Sequence, residues 1–238
     1  MSAATPEGVV RAFSEEPTRP DVWIFDRTTP EFASLAERGP VSTEERTRAG
    51  ALRSADARSD LLSRRAAVRR VLALYLSRQP ELIRVVTLPG GKPTFVPEVD
   101  DERRLSFSSA HSGDLFCLAV GTSTSLGVDI EIERTIPRAL AIASRWFSSE
   151  ESAYLRAVPE ARQSEEFLRL WTAKESLAKR HSAGLRLMSG PVDHLDVQRE
   201  VARSLLDHFV PRPGYVASLA STSRIADIRI VLEPSRHI

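Results

Sequence analysis

The chain is short of cysteine, of lysine and of long apolar runs, and each shortage narrows what it can be. One cysteine among 238 residues, Cys117, excludes an internal disulfide. Its setting in the apolar run LFCLAV points to a buried, inert thiol rather than a nucleophile. No histidine or cysteine stands at metal-ligand spacing from another, so nothing signals zinc. No apolar stretch reaches the roughly 18 residues that a membrane helix needs. The beginning, MSAATPEGVV, has neither a basic leader nor an apolar signal core, and the expected location is the cytoplasm, away from the membrane. A net charge of +1 argues against binding nucleic acid through an overall positive potential, and the basic helices lack interleaved aromatics, so no nucleic-acid partner is expected. Of the 33 basic residues only three are lysines: Lys92, Lys174 and Lys179. A compact ammonium and a planar guanidinium are not interchangeable at a tight site, so in a chain that writes its ordinary cations as arginine these three positions stand out.

What is present is ordinary for a globular protein, with 42% hydrophobic and 27% charged residues, and the length suits one large domain or two compact halves. The first twenty residues show no periodicity and read as a loose arm. DVWIFD reads as a strand, and TTPEFASLAERGP as a short helix closed by Gly39 and Pro40. Ser42 with Glu45 three residues on, or Thr43 with Arg46 nearby, offers a cap for a helix expected to run to about Ala55. A longer helix is expected from Asp56 to Ser77, with Arg58 in its first turn and Arg64, Arg69 and Arg70 on a solvated, arginine-rich face. IRVVTLPGGKPTF reads as a strand ending in a Pro-Gly-Gly turn that delivers Lys92 beside Pro93. LSFSSAHSGDLFCLAVGTS reads as two strands about a turn at His111, Ser112 and Gly113. RWFSSEESAYLRAV starts a helix with Ser148 and Glu151 at capping-box spacing. A strand is expected after Gly184, and PGYVASLAS with DIRIVLEPS is expected to complete the second half. The boundary between halves is placed near Gly121 to Leu126.

Two stretches carry chemistry. In LGVDIEIER, strand alternation puts Val128, Ile130 and Ile132 on one face and Asp129, Glu131 and Glu133 on the other. Neighbouring carboxylates on that face, about 6 to 7 Å apart, repel one another unless a cation is near, and an all-oxygen set suits Mg²⁺ or a relative. An acidic edge strand accounts for the same pattern. In SEEFLRLWTAKESLAKRH, from Ser164 to His181, a helical stripe of Phe167, Leu170, Trp171, Leu177 and Ala178 contains Lys174, while Glu175 and Lys179 form an i,i+4 pair along its border. Such a pair suits an anion or a metal-bound anion, and it also decorates many solvent-facing helices. His111, among Ser108, Ser109 and Ser112, is a phosphate donor or a plain turn histidine.

Together, GVDIE and, some forty residues later, WTAKESLAK resemble the signature of the 4′-phosphopantetheinyl transferases of the larger Sfp type. GGKP, FSSAHS, FSSEE and GYVASLA occur in the family's order. The resemblance implies an α+β fold of two similarly folded α/β halves, residues 1–122 and 123–238, with antiparallel sheets packed on helices and coenzyme A in the cleft between. It implies a monomer that uses Mg²⁺, or Mn²⁺, to move phosphopantetheine from coenzyme A onto a serine of an apo acyl or peptidyl carrier protein, releasing 3′,5′-ADP. Carried over by position, Asp129, Glu131 and Glu175 are the metal acids and Lys179 meets the transferred phosphate. Lys92, Pro93, Ser109, His111 and Arg58 lie toward the nucleotide, with Arg58 on the 3′-phosphate. Glu175 or Glu151 is the base, and the sequence does not choose between them. The family usually has serine directly before its histidine where this chain has Ala110, so a phosphate contact is lost or passes to Ser109 or Ser112. A coenzyme A or nucleotide-binding module without transfer is the rival reading, and retention of all three acids speaks against it.

Overall fold

The structure, a computed structural model, describes residues 19–87, 93–99, 105–122, 125–181, 197–203 and 205–232. Lys92 and the strand expected after Gly184 lie outside the described residues.

Short polar signals set the helix starts. Thr29 caps α1 (Pro30–Arg38), whose first residue is proline, and a capping box of Ser42 and Glu45 opens α2 (Thr43–Gly50). That helix stops at Gly50, short of the expected Ala55, because Ser54 already caps α3 (Ala55–Leu76) through the amide of Ala57. Strand β1 (Asp21–Asp26) is apolar on both faces, as befits a strand covered on both sides. It lies antiparallel to β5 (Leu115–Thr122), which pairs in turn with β4 (Leu105–Ser112). A small hairpin joins β2 (Val85–Thr87) to β3 (Pro93–Phe95). The second sheet is β6 (Leu126–Ile132), β8 (Tyr215–Ser221) and β7 (Leu206–Phe209), in that order. Helices α4 (Ala139–Trp146), α5 (Ser149–Ala157), α6 (Glu160–Arg180) and α7 (Val197–Ala202) complete the elements, so the expected α+β class is observed.

One expectation is corrected by the sheet order. The last strand, β9 (Arg229–Leu232), does not complete the second sheet with β8; it runs parallel to β1 at the edge of the first sheet, order β4-β5-β1-β9. Arg229 secures it there by a two-pronged bond to Asp21, with Nε to Oδ1 at 2.5 Å and Nη2 to Oδ2 at 2.6 Å. Asp21 also accepts from the Tyr75 hydroxyl at 2.6 Å, so its buried charge is fully partnered.

Trp23, Phe25, Phe116 and Leu118 pack one face of the first sheet against Val68 and Leu72 of α3. The other face, with Val22, Ile24 and Cys117, shares a core with Val128, Ile130, Ala217 and Leu219 of the second sheet. Cys117 is fully buried and burial pushes its thiol pKa up, as an inert cysteine requires. A second correction falls on the arginine face of α3. Arg69 is 4% exposed, with Nη1 2.7 Å from Glu45 and Nε donating to the Ile83 carbonyl at 3.1 Å. Its charge is neutralised by α2 rather than by water.

Gly127 sets how close α6 comes to β6. A Cβ there would lie 1.8 Å from the Ser176 carbonyl oxygen and 2.5 Å from the Arg180 amide, both backbone atoms that cannot step aside. Gly127→Ala is therefore expected to force α6 outward at a cost of about 3 kcal/mol or more, read as a fall in Tm and soluble yield. A variant melting like wild type would mean the helix does not need this approach.

Candidate active site

The close approach at Gly127 brings the border of α6 onto the acidic face of β6. The ammonium of Lys179 lies 2.7 Å from Asp129 Oδ1 and donates to the Val128 carbonyl at 3.1 Å. Burial raises the Asp129 pKa against the opposing pull of Lys179, with the Glu131 charge adding to the rise. Glu175, one turn before Lys179 on the same helix, is half-buried; burial, then the charges of Asp129 and Glu131, raise its pKa as well. Asp129, Glu131, Glu175 and Lys179 thus feel one another across the strand–helix seam, as the sequence pattern anticipates.

The structure adds residues that the pattern did not single out for these roles. Glu131 Oε2 accepts from Ser112 Oγ at 2.8 Å and from Arg134 Nη1 at 2.8 Å. Ser108 and Ser112, on the β4 face toward β6, accept the amides of Val128 and Ile132 at 3.1 Å each. Serine hydroxyls thereby satisfy the edge of β6 where a paired strand would otherwise be needed. Ala110 sits between the two serines, buried in the core shared by the sheets. Ser109 and His111 occupy the opposite face of β4, so of the two substitutes considered for the missing family serine, Ser109 shares the histidine's side and Ser112 is already engaged.

His111 is exposed at its edge. Partial burial, then the cations of Arg64, Arg27 and Lys179, lower its pKa to about 4, so the ring is neutral near pH 7. Arg27 and Arg64 are held at that place by Asp60, with Nε–O distances of 2.6 and 2.9 Å. Arg58, by contrast, is half-buried and donates to the Leu52 carbonyl at 2.9 Å, and no contact brings it to His111. Pro93 opens β3, opposite Thr87 and half-buried. A cleft of about 420 Å³ between α1 and the start of α3 is lined by Arg27, Phe32, Asp56 and Asp60 among others. Neither Asp129, Glu131 and Glu175 nor Arg58 line it, so its volume does not locate the chemistry.

Glu151 and Lys174 form a separate pair. Lys174 is wholly buried, its Nζ 2.7 Å from Glu151 Oε2 and 5.7 Å from the centre of the Phe147 ring. The same Oε2 accepts the Ser148 amide at 2.9 Å in the capping box of α5.

Among the described residues no three acid or imidazole side chains already converge as a closed metal cage, and Lys179 holds Asp129 Oδ1. The donor set nonetheless fits a hard divalent cation. It is all oxygen, and burial, with the charges of the neighbouring carboxylates adding to it, keeps the pKa values of Asp129 and Glu175 raised despite Lys179, so a further cation beside them would favour their charged forms.

An α+β chain with clustered carboxylates and an ammonium at a strand–helix seam is equipped to hold and polarise phosphate. Residues 125–219, which include this seam, match the 4′-phosphopantetheinyl transferase superfamily. The chain is 30% identical over 168 residues to a putative 4′-phosphopantetheinyl transferase of Synechocystis sp., covering 70% of this chain and 66% of that one. It is 32% identical over 173 residues to the 4′-phosphopantetheinyl transferase psf-1 of Bacillus pumilus, covering 72% and 71%. It is 36% identical over 127 residues to the 4′-phosphopantetheinyl transferase Sfp of Bacillus subtilis, where the match spans about half of each chain, 52%. The chain belongs to the 4′-phosphopantetheinyl transferase superfamily, a family of transferases.

Proposed function

We propose that the protein transfers the 4′-phosphopantetheine group of coenzyme A to a serine hydroxyl of an apo acyl or peptidyl carrier protein, releasing 3′,5′-ADP. The observation that carries this reading is the Lys179 ammonium placed 2.7 Å from Asp129, with Glu175 one turn away. Family membership supports the reaction class. In this reading residues 1–122 and 123–238 form two halves, apart from the return of β9, with coenzyme A between them, and the protein works as a monomer in the cytoplasm. Among the described residues no helix is long and apolar enough to cross a membrane.

Asp129, Glu131 and Glu175 would hold Mg²⁺ or Mn²⁺, which when bound supplies positive charge to the pyrophosphate oxygens. Lys179 donates to the oxygens around the β-phosphorus, where charge grows as the bond to 3′,5′-ADP breaks and the bond to the serine oxygen forms. Glu175 takes the serine proton. Glu151 is the weaker choice for that role, because it is buried and held in an ion pair with the wholly buried Lys174. Neutral His111, with Ser109 and Pro93, is assigned to the nucleotide, Lys92 is assigned there by its position in the sequence, and Arg58 is assigned to the 3′-phosphate.

The expected outcome of incubating a panel of apo-carrier proteins with this protein, coenzyme A and Mg²⁺ is that at least one gains the mass of a phosphopantetheine group, read by intact-mass spectrometry. No gain across acyl and peptidyl carriers would remove the transferase reading.

A further inference from the structure

Resting on that reading, we infer that Ser112 is a positioning residue that aims the Glu131 carboxylate, so that the first sheet sets the geometry of a metal site carried by the second. The Ser112 hydroxyl accepts the Ile132 amide at 3.1 Å and lies 2.8 Å from Glu131 Oε2. With the amide occupying an oxygen lone pair, the hydroxyl proton is left for the carboxylate. Its competitor for the same oxygen is Arg134, at 2.8 Å but with a side chain 49% exposed. Glu131 therefore sits between a fixed donor on β4 and a long solvent-facing cation, and the fixed donor decides its orientation.

The mounting of Ser112 is rigid. Gly113 beside it has φ +52°, and a Cβ there would meet the Tyr215 hydroxyl at 2.6 Å. That hydroxyl accepts the Asp114 amide at 2.9 Å, while Arg27 donates to the Gly113 carbonyl at 2.5 Å. The turn is gripped by β8 of the second sheet on one side and by the end of β1 on the other. Ser108 supplies the control within the molecule. It satisfies β6 at Val128 just as Ser112 does at Ile132, at the same 3.1 Å, and among the described residues it makes no hydrogen bond to a carboxylate.

The test uses the full chain and Mn²⁺ binding without substrate, read from the free-ion signal in electron paramagnetic resonance. Ser112→Ala is expected to weaken Mn²⁺ binding about tenfold or more, the usual scale for losing a partner that orients a metal-binding carboxylate. Ser108→Ala is expected to leave the affinity unchanged, and Ser112→Ala is expected to add nothing in a Glu131→Gln background. Asp129→Asn is expected to abolish binding. Unchanged affinity in Ser112→Ala alongside loss in Asp129→Asn overturns the role of Ser112 and leaves the metal reading standing. So does equal weakening by the two serine variants, or a further loss from Ser112→Ala on top of Glu131→Gln, since either assigns the effect to the seam. Wild-type binding by Asp129→Asn overturns the metal reading itself.

Discussion

Lys179→Ala is expected to lower kcat by about a hundredfold or more, the scale for removing one preorganised donor to developing charge, and Lys179→Arg is expected not to restore it. The ammonium is half-buried in the seam, with Asp129 at 2.7 Å and the Val128 carbonyl at 3.1 Å. That pocket was shaped by a helix approaching over a residue with no side chain, and it accepts a small round cation. A guanidinium is wider and planar, and it must keep its fork in one plane to bond. It cannot take both contacts and still reach a phosphate. Turnover and Tm measured together separate the roles: a Lys179→Arg enzyme as fast as wild type would show that the ammonium does not touch the reacting phosphate.

Lys174→Met is expected to do the opposite, leaving the reacting groups in place and costing stability. Lys174 is wholly buried and Glu151 nearly so. Removing one member of such a pair strands the other's charge, a loss of about 3–5 kcal/mol. For a chain of this size that corresponds to a drop in Tm of roughly 10 °C. The companion variant settles the cause. With Glu151→Met added, no charge is stranded, and most of the Tm should return even though the Ser148 amide loses its side-chain acceptor. A double variant no more stable than Lys174→Met alone would place the cost in packing against Phe147 and not in the ion pair.

The contrast between the two lysines was half visible in the sequence. Helical spacing placed Lys174 in the apolar stripe and Glu175 with Lys179 on its border, and local capping chemistry fixed the starts at Ser42 and Ser148. Such readings succeed because their causes lie within one turn of chain. What escaped was set by partners far away in sequence. Nothing near Arg69 announces that Glu45 will neutralise it, and nothing in SSAHS says that Ser112 will reach across to Glu131. The strand RIVL was recognised and sent to the wrong sheet, because adjacency to β8 in sequence is no guide to a parallel pairing with β1. The cluster of acids and lysine was legible for a further reason: Asp129 and Glu131 share a strand face, and Glu175 and Lys179 share a helix border, so only the docking of one element on the other had to be supplied.

The return of β9 has a consequence for how the chain acquires its shape during synthesis. Asp21 leaves the ribosome 208 residues ahead of the arginine that grips it. Until then β1 offers a bare strand edge and a carboxylate that lacks its two-pronged cation, while the segments carrying the acids and the lysine are made in between. The first sheet therefore closes last, and closes over a second sheet already translated. A nascent chain halted before Arg229 can build its helices but leaves that edge open to any passing strand. The first sheet is complete only once residues 229–232 have been made.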